Sequence, residues 1–347
     1  MAKGGKARAG RTESWVSIWS RRAISLPLYA MLAVVVLGGA PVWLLLALMT
    51  DVLVGQGRRL PRTRVLVFFA VYLGCELVGV AAATGLWWLT LGGRFGGAAR
   101  FLRAHVALQR WWSGMLFAGS FRAFSLRLQI EGQELAAQGP FLLFVRHAST
   151  ADTILAAGLV ANPHRLVLRY VIKRELLWDP CLDIVGRRLP VAFIDRQAAR
   201  QGAEVAAITR LAAELDADSA VLIYPEGTRF TPAKHARAVA ALRRRGHEAL
   251  AETADQFRHV LPPKLGGPLA LLEAAPGVDV VLLEHTGFEA ATSFASFWNG
   301  ALVGQTIRVR LRRIPAADIP DHDRAQWLFD RWAEVDRWID GGQAGKS

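Results

Sequence analysis

Two long runs almost free of charge stand near the start of the chain. Between Arg22 and Asp51 lie 28 residues without one charged side chain, rich in Leu, Val and Ala. From Val65 to Gly93 a second run holds a single charge, Glu76. About 20 apolar residues span the hydrocarbon core of a bilayer, so each run is a candidate membrane segment. The first is too long for a signal peptide, and no small-residue cleavage site ends it. Pro27 and Pro41 are expected to kink the first helix, which membrane helices tolerate.

The charge follows the same division. The 347 residues carry 42 basic and 29 acidic side chains, a net charge of +13. Such an excess suits nucleic acid, a membrane surface or an anionic substrate. Residues 1–130 hold all of it, with 16 basic residues against 3 acidic, while residues 131–347 balance at 26 and 26. The larger part of the chain is electrically neutral, which argues against nucleic acid as a partner. At 52% hydrophobic residues the chain also excludes intrinsic disorder. Cys75 and Cys181 are too few for a disulfide framework and are expected to be unpaired thiols.

The positive-inside rule puts residues 1–22 and everything after Arg94 in the cytoplasm. It conflicts with an outer loop bearing Arg58, Arg59, Arg62 and Arg64. Two arrangements follow: a two-pass hairpin with an unfavourable loop, and a hairpin that dips into one leaflet and returns. Residues 94–125 form a third region. On a helix Arg100, Arg103 and Arg110 fall within about 80° of one another. With Phe101, Trp112 and Met115 they suit either the headgroup layer or a helix packed on the following domain.

Residues 126–347 alternate short β-like runs with helical stretches. Strands are expected at Leu126–Ile130, Phe141–Val145, Arg165–Ile172, Val191–Ile194, Ala220–Tyr224, Val278–Leu283 and Thr306–Arg313. Helices are expected at Ala151–Val160, Ala198–Leu215, Pro232 to Gln256 and over Leu328–Ile339. This is an α/β domain with a mixed, largely buried sheet flanked by helices, behind an N-terminal membrane hairpin.

Four elements carry chemistry. The run after Phe141–Val145 places His147 and Asp152 five residues apart. On a regular helix they would point about 140° apart, so they meet only if His147 sits on the loop and Asp152 at the helix start. A carboxylate on one imidazole nitrogen leaves the other free as a base. After Ala220–Tyr224 come Pro225, Glu226, Gly227, Thr228 and Arg229. Pro225 stops the strand, Gly227 permits a turn, and Arg229 offers a planar fork for phosphate oxygens. Val191–Ile194 leads into Asp195 and Arg196, and Leu261–Gly267 is a rigid turn bearing Lys264. Each of these is also an ordinary turn when taken singly.

In this order the four motifs resemble the glycerolipid acyltransferase family that includes 1-acylglycerol-3-phosphate acyltransferases, over about residues 126–340. Lys173–Leu176 looks like that family's Lys-x-Glu-Leu stretch, and the tail from Phe230 resembles the longer lysophospholipid acyltransferase branch. Two departures bear on headgroup preference: Arg146 stands where the family commonly has Asn, and the Leu261–Gly267 turn lacks the Thr-Lys-Gly order.

The resemblance implies a membrane-bound enzyme with its catalytic domain on the cytoplasmic face. It would move an acyl group from acyl-CoA or acyl carrier protein to the free hydroxyl of a lysophospholipid, foremost 1-acylglycerol-3-phosphate. His147 and Asp152 would be catalytic. Arg229, Arg196 and Lys264 would hold the acceptor phosphate, Gly227 and Thr228 would bind substrate beside Arg229, and Glu226 would orient the acceptor or the arginine. No metal or resident cofactor is implied. A lipid hydrolase using the same pair on water, without a Gly-x-Ser-x-Gly elbow, and a non-catalytic membrane scaffold are the alternatives.

Overall fold

The computed structural model describes residues 13–194, 201–213, 215–291 and 293–344. Seven strands form one sheet: β1 (Arg127–Glu131), β2 (Phe141–Val145), β3 (Val167–Lys173), β4 (Val191–Ile194), β5 (Ser219–Ile223), β6 (Asp279–Thr286) and β7 (Thr306–Ile314). Their spatial order is β1-β7-β6-β2-β5-β3-β4, parallel throughout except for the antiparallel pair β6–β7. Two residues of β2 face one core, Leu142 and Phe144. Phe141, Leu143 and Val145 face the other, because side chains alternate along a strand. A strand buried on both faces reads as a continuous apolar run, as β2 and β5 do.

The strand expectations hold, β2 and β4 at both ends and the others with end shifts of up to three residues. The helical ones hold less evenly. The Pro232–Gln256 stretch is two helices, Pro232–Arg244 and Glu248–Asp255, parted at Gly246, which takes a left-handed φ of 77°. Ala151–Val160 is a 3₁₀ turn at Thr150–Asp152, one α turn and a π turn through Ala161.

Ahead of the sheet run α1 (Trp15–Ala33), α2 (Ala40–Leu53), α3 (Pro61–Thr90) and α4 (Gly97–Phe124). Continuous with α1, a helix over Trp15–Gly38 is one of two among the described residues long and apolar enough to cross a membrane; α3 is the other. Pro27 lies inside an unbroken α1, so the break falls elsewhere than expected there. It lies at the π turn Val34–Gly38 and at Gly39, just before Pro41. A Cβ on Gly39 would lie 2.4 Å from Trp43 Nε1, which donates to the Val35 carbonyl.

Both ends of the α1–α2 unit touch the α/β domain. At its start Arg21 and Arg22 bond Asp183 at 2.7 and 2.6 Å. At its end Arg59 donates to the Val303 carbonyl, Arg62 to Asp51 and Asn299, and Arg64 to the Ala123 carbonyl and Ser125. Those linker arginines therefore lie on the domain. Helix α3 lies along it too: Val65 is in a domain core, Glu76 accepts from Trp112 Nε1 and the Cys181 N–H, and the Ala83 carbonyl accepts from Arg188. From Pro61 to Ala83 that is about 33 Å of helix. The outward faces stay bare, with Trp15, Met31, Leu45, Leu53, Trp88 and Leu89 all exposed.

Helix α4 packs one side on the rest of the chain and leaves the other open. His105, Val106, Leu116 and Phe124 are buried, while Arg100 and Arg103 face outward with Leu102 and Trp111. Arg110 departs from this face and donates to the Arg165 carbonyl. Both cysteines are free thiols, as expected, and buried.

Candidate active site

Strands β6, β2 and β5 are parallel neighbours, so their carboxyl ends lie side by side. Val145 is level with Leu283, and Phe144 with Ile223. Two residues past the first pair come His147 and His285, and three past Ile223 comes Glu226. Ligands bind at such strand ends in open α/β sheets.

His147 sits on the loop and Asp152 ends the 3₁₀ turn, the one arrangement in which their spacing lets them meet. Nδ1 of His147 is 3.0 Å from Asp152 Oδ1. Asp152 Oδ2 accepts the N–H groups of Ala148 and Ser149, each at 2.7 Å. Ser149 caps the turn in return through a capping box. Asp152 is wholly buried, while the His147 side chain keeps 14% of its surface open. Since Asp152 is an acceptor, the proton on the neutral ring is assigned to Nδ1 and Nε2 keeps its lone pair. Among the described residues no protein group bonds Nε2. The Tyr224 ring lies 4.8 Å from the imidazole.

Glu226 is turned inward. One carboxylate oxygen accepts the His147 backbone N–H and the other the Leu261 N–H, both at 2.9 Å. The side chain thus ties the His147 loop to the Leu261–Gly267 turn. Burial pushes its pKa up to about 7, against the pull of those two N–H groups and of Arg146 and His147.

The rest of the motif forms the turn. Gly227 takes a left-handed φ of 69° and returns its N–H to the Tyr224 carbonyl. Thr228 Oγ1 and the Arg229 carbonyl both accept from Lys234, which fixes the turn to the helix after it. Arg229 is half-buried. Lys264 is exposed and held to the same turn by its N–H on the Pro225 carbonyl. Arg196 lies outside the described residues.

Three further residues support the site, and their roles do not show in the sequence spacing. Arg146 is 2% exposed and its guanidinium bonds the His285 carbonyl, Glu289 and the His259 carbonyl. His285 is wholly buried and its Nε2 lies 3.0 Å from the Arg146 carbonyl. Asp336, on the C-terminal helix Arg324–Ala344, accepts the N–H groups of Arg258, His259 and Val260. For His285 the available signal was a polar pair, Glu284 and His285, ending an apolar strand. Among the described residues no group of three His, Cys, Asp or Glu side chains is placed to hold a metal ion.

Residues 127–266 match the family described as Acyltransferase. No curated protein matches the chain. Among solved structures the fold is similar to the crystal structure of the 1-acyl-sn-glycerophosphate (LPA) acyltransferase PlsC from Thermotoga maritima. The TM-score is 0.53 at 14% identity, over 81% of this chain and 96% of that one. At that identity the likeness is one of fold.

Proposed function

We propose that the chain is a glycerolipid acyltransferase and that it esterifies the free hydroxyl of a lysophospholipid with an acyl group. The acceptor proposed is 1-acylglycerol-3-phosphate, and the product phosphatidic acid. The donor is an acyl thioester of coenzyme A or acyl carrier protein. The observation that carries this reading is His147 Nδ1 at 3.0 Å from a carboxylate already locked by two backbone N–H groups.

With Nδ1 so held, Nε2 takes the proton from the acceptor hydroxyl as the oxygen attacks the thioester carbonyl. The C–S bond then breaks, and the leaving thiolate takes that proton back from His147. The acceptor supplies the nucleophile, so no serine or cysteine of the chain is required. Arg229 holds the acceptor phosphate, and Arg196 and Lys264 are assigned a supporting part in the same task. Gly227 and Thr228 shape the turn that presents Arg229. Glu226 acts on the loop rather than on the substrate.

The acceptor dissolves in a membrane, and the bare apolar faces of α1 and α2 suit one. Linker arginines seated on the domain fit a hairpin that dips into one leaflet and returns, because a two-pass hairpin would hold them a bilayer's thickness away. The catalytic domain is assigned to the cytoplasmic face, the side on which both thioester donors are found.

A thioester-release assay with a panel of lysophospholipids, read together with product analysis, tests the reading. Thiol release with a diacyl product is expected, fastest with 1-acylglycerol-3-phosphate. Free fatty acid without diacyl product would mean a hydrolase instead. Arg229→Ala is expected to raise the acceptor KM by roughly 10- to 100-fold, the worth of a charged hydrogen bond, with a smaller effect on kcat. An unchanged acceptor KM would remove Arg229 from the phosphate site.

A further inference from the structure

Asp152 lies between two imidazoles. His147 faces it from the open side of the site, and His285 faces it from the protein interior, with Nε2 3.5 Å from Asp152 Oδ2. The same His285 nitrogen is 3.0 Å from the Arg146 carbonyl. Both neighbours can only accept, so Nε2 carries the ring proton; it donates to the Arg146 carbonyl, and Asp152 Oδ2 lies just beyond that bond, near enough to feel the N–H dipole. The other nitrogen, Nδ1, is buried with no partner among the described residues. That is where a bare lone pair belongs, not an N–H.

Burial, more than the charges around it, favours the neutral form of His285. Burial lowers its pKa, the Asp152 charge opposes that, Arg146 adds to the lowering and Glu289 opposes it again, with a net shift downward. Arg146 and His285 are also bonded reciprocally. The His285 ring donates to the Arg146 carbonyl, and the Arg146 guanidinium donates to the His285 carbonyl. Arg146 immediately precedes His147, so this pair fixes the backbone from which the catalytic loop springs.

We propose that His285 is a positioning residue for the acyl transfer: its ring N–H, bonded to the Arg146 carbonyl and facing Asp152 Oδ2 at 3.5 Å, steadies the loop and the carboxylate so that Oδ1 meets His147. The proposal rests on the reading of His147 as the base. His147 is faced by Asp152 and the Tyr224 ring, with Glu226 on its backbone N–H. His285 is faced by Asp152, Arg146, Glu289 and the edge of Phe288.

The test is the pH dependence of kcat/KM by thioester release for the whole enzyme and two variants. His285→Met removes the N–H at similar length; His285→Gln keeps one. The Met variant is expected to lose roughly tenfold in kcat with acceptor KM little changed. Its acid limb is expected to move up by about half a pH unit, since a carboxylate relieved of the facing N–H dipole binds the His147 imidazolium more tightly. The Gln variant is expected to return the limb to its wild-type place. A folded Met variant with the wild-type limb overturns the proposal. If the Met variant does not fold, the Gln variant decides alone: a wild-type limb supports the proposal and a shifted limb overturns it. Should His147→Ala and Asp152→Asn keep full activity, the reading of the base falls; should they lose it while His285→Met is silent, only this inference does.

Discussion

Replacing His147 by alanine is expected to lower acyl transfer by roughly 10²- to 10⁴-fold, the usual contribution of a positioned general base. The fold should survive the change. The side chain makes one side-chain bond, to Asp152, and the backbone N–H that Glu226 grips is kept in alanine. Asp152 remains tied to Ala148 and Ser149. Thermal unfolding should therefore shift little, and acceptor KM should stay close to the wild-type value. The measurement is initial-rate thiol release beside a melting curve. A folded variant within a factor of ten of the wild-type rate would exclude His147 as the base. If it also still complemented an acyltransferase-deficient strain, the chain would be a membrane scaffold.

The catalytic pair was legible in the sequence because its geometry is local. Five residues, a strand end and a serine cap are enough to deduce that His147 must lie on the loop. Strands β2 and β4 fall where their sequence puts them for a similar reason: each is a short apolar run, and polar residues or a proline bound it. What the sequence did not carry is sheet order. Strand β2 is inserted between β5 and β6, which come about 80 and 140 residues later in the chain. Only that insertion makes His285, Glu226 and Arg146 neighbours. Arg146 read as a departure at one motif position, when its partners are carbonyls and a carboxylate contributed by strand β6 and by distant loops. Asp336 is harder still, since all its bonds go to backbone N–H groups, which every sequence supplies.

The front of the chain shows the same limit. Length and apolarity marked two candidate spans; the second is the single helix α3, while the first is split near Gly39 between the Trp15–Gly38 helix and α2. Whether the arginine-bearing linker lies beside the domain or across a bilayer depends on tertiary contacts. The bond from Arg59 to the Val303 carbonyl joins residues 244 apart in sequence. No hydropathy pattern encodes that contact.

Glu226→Gln is expected to lower transfer by roughly 10- to 100-fold above pH 7, as a charged hydrogen bond is worth about 1.5–3 kcal/mol. The wild-type carboxylate offers an acceptor to each of two N–H groups. Glutamine offers one acceptor and sets its NH₂ against the other N–H, so either His147 or Leu261 is released. Protonated Glu226 has the same defect, and its folded pKa stands at about 7 against 4.5 for the free side chain. The activity gap between wild type and variant should thus narrow as pH falls below 7. Stability should run the other way. The folded state holds a proton on Glu226 that the unfolded chain has lost between pH 4.5 and 7. The contribution of this group therefore falls as pH rises through that window, and is lowest above 7. Glutamine does not titrate, so wild-type stability should decline relative to the variant over the same range. Denaturant titrations at pH 5 and pH 8, set beside rates at both, test the two slopes together. An activity gap constant across pH, or a stability difference that does not change, would mean that Glu226 does not ionise in this window. Placing an ionised carboxylate where burial opposes it is a cost in stability, and the return is a His147 loop held at both ends.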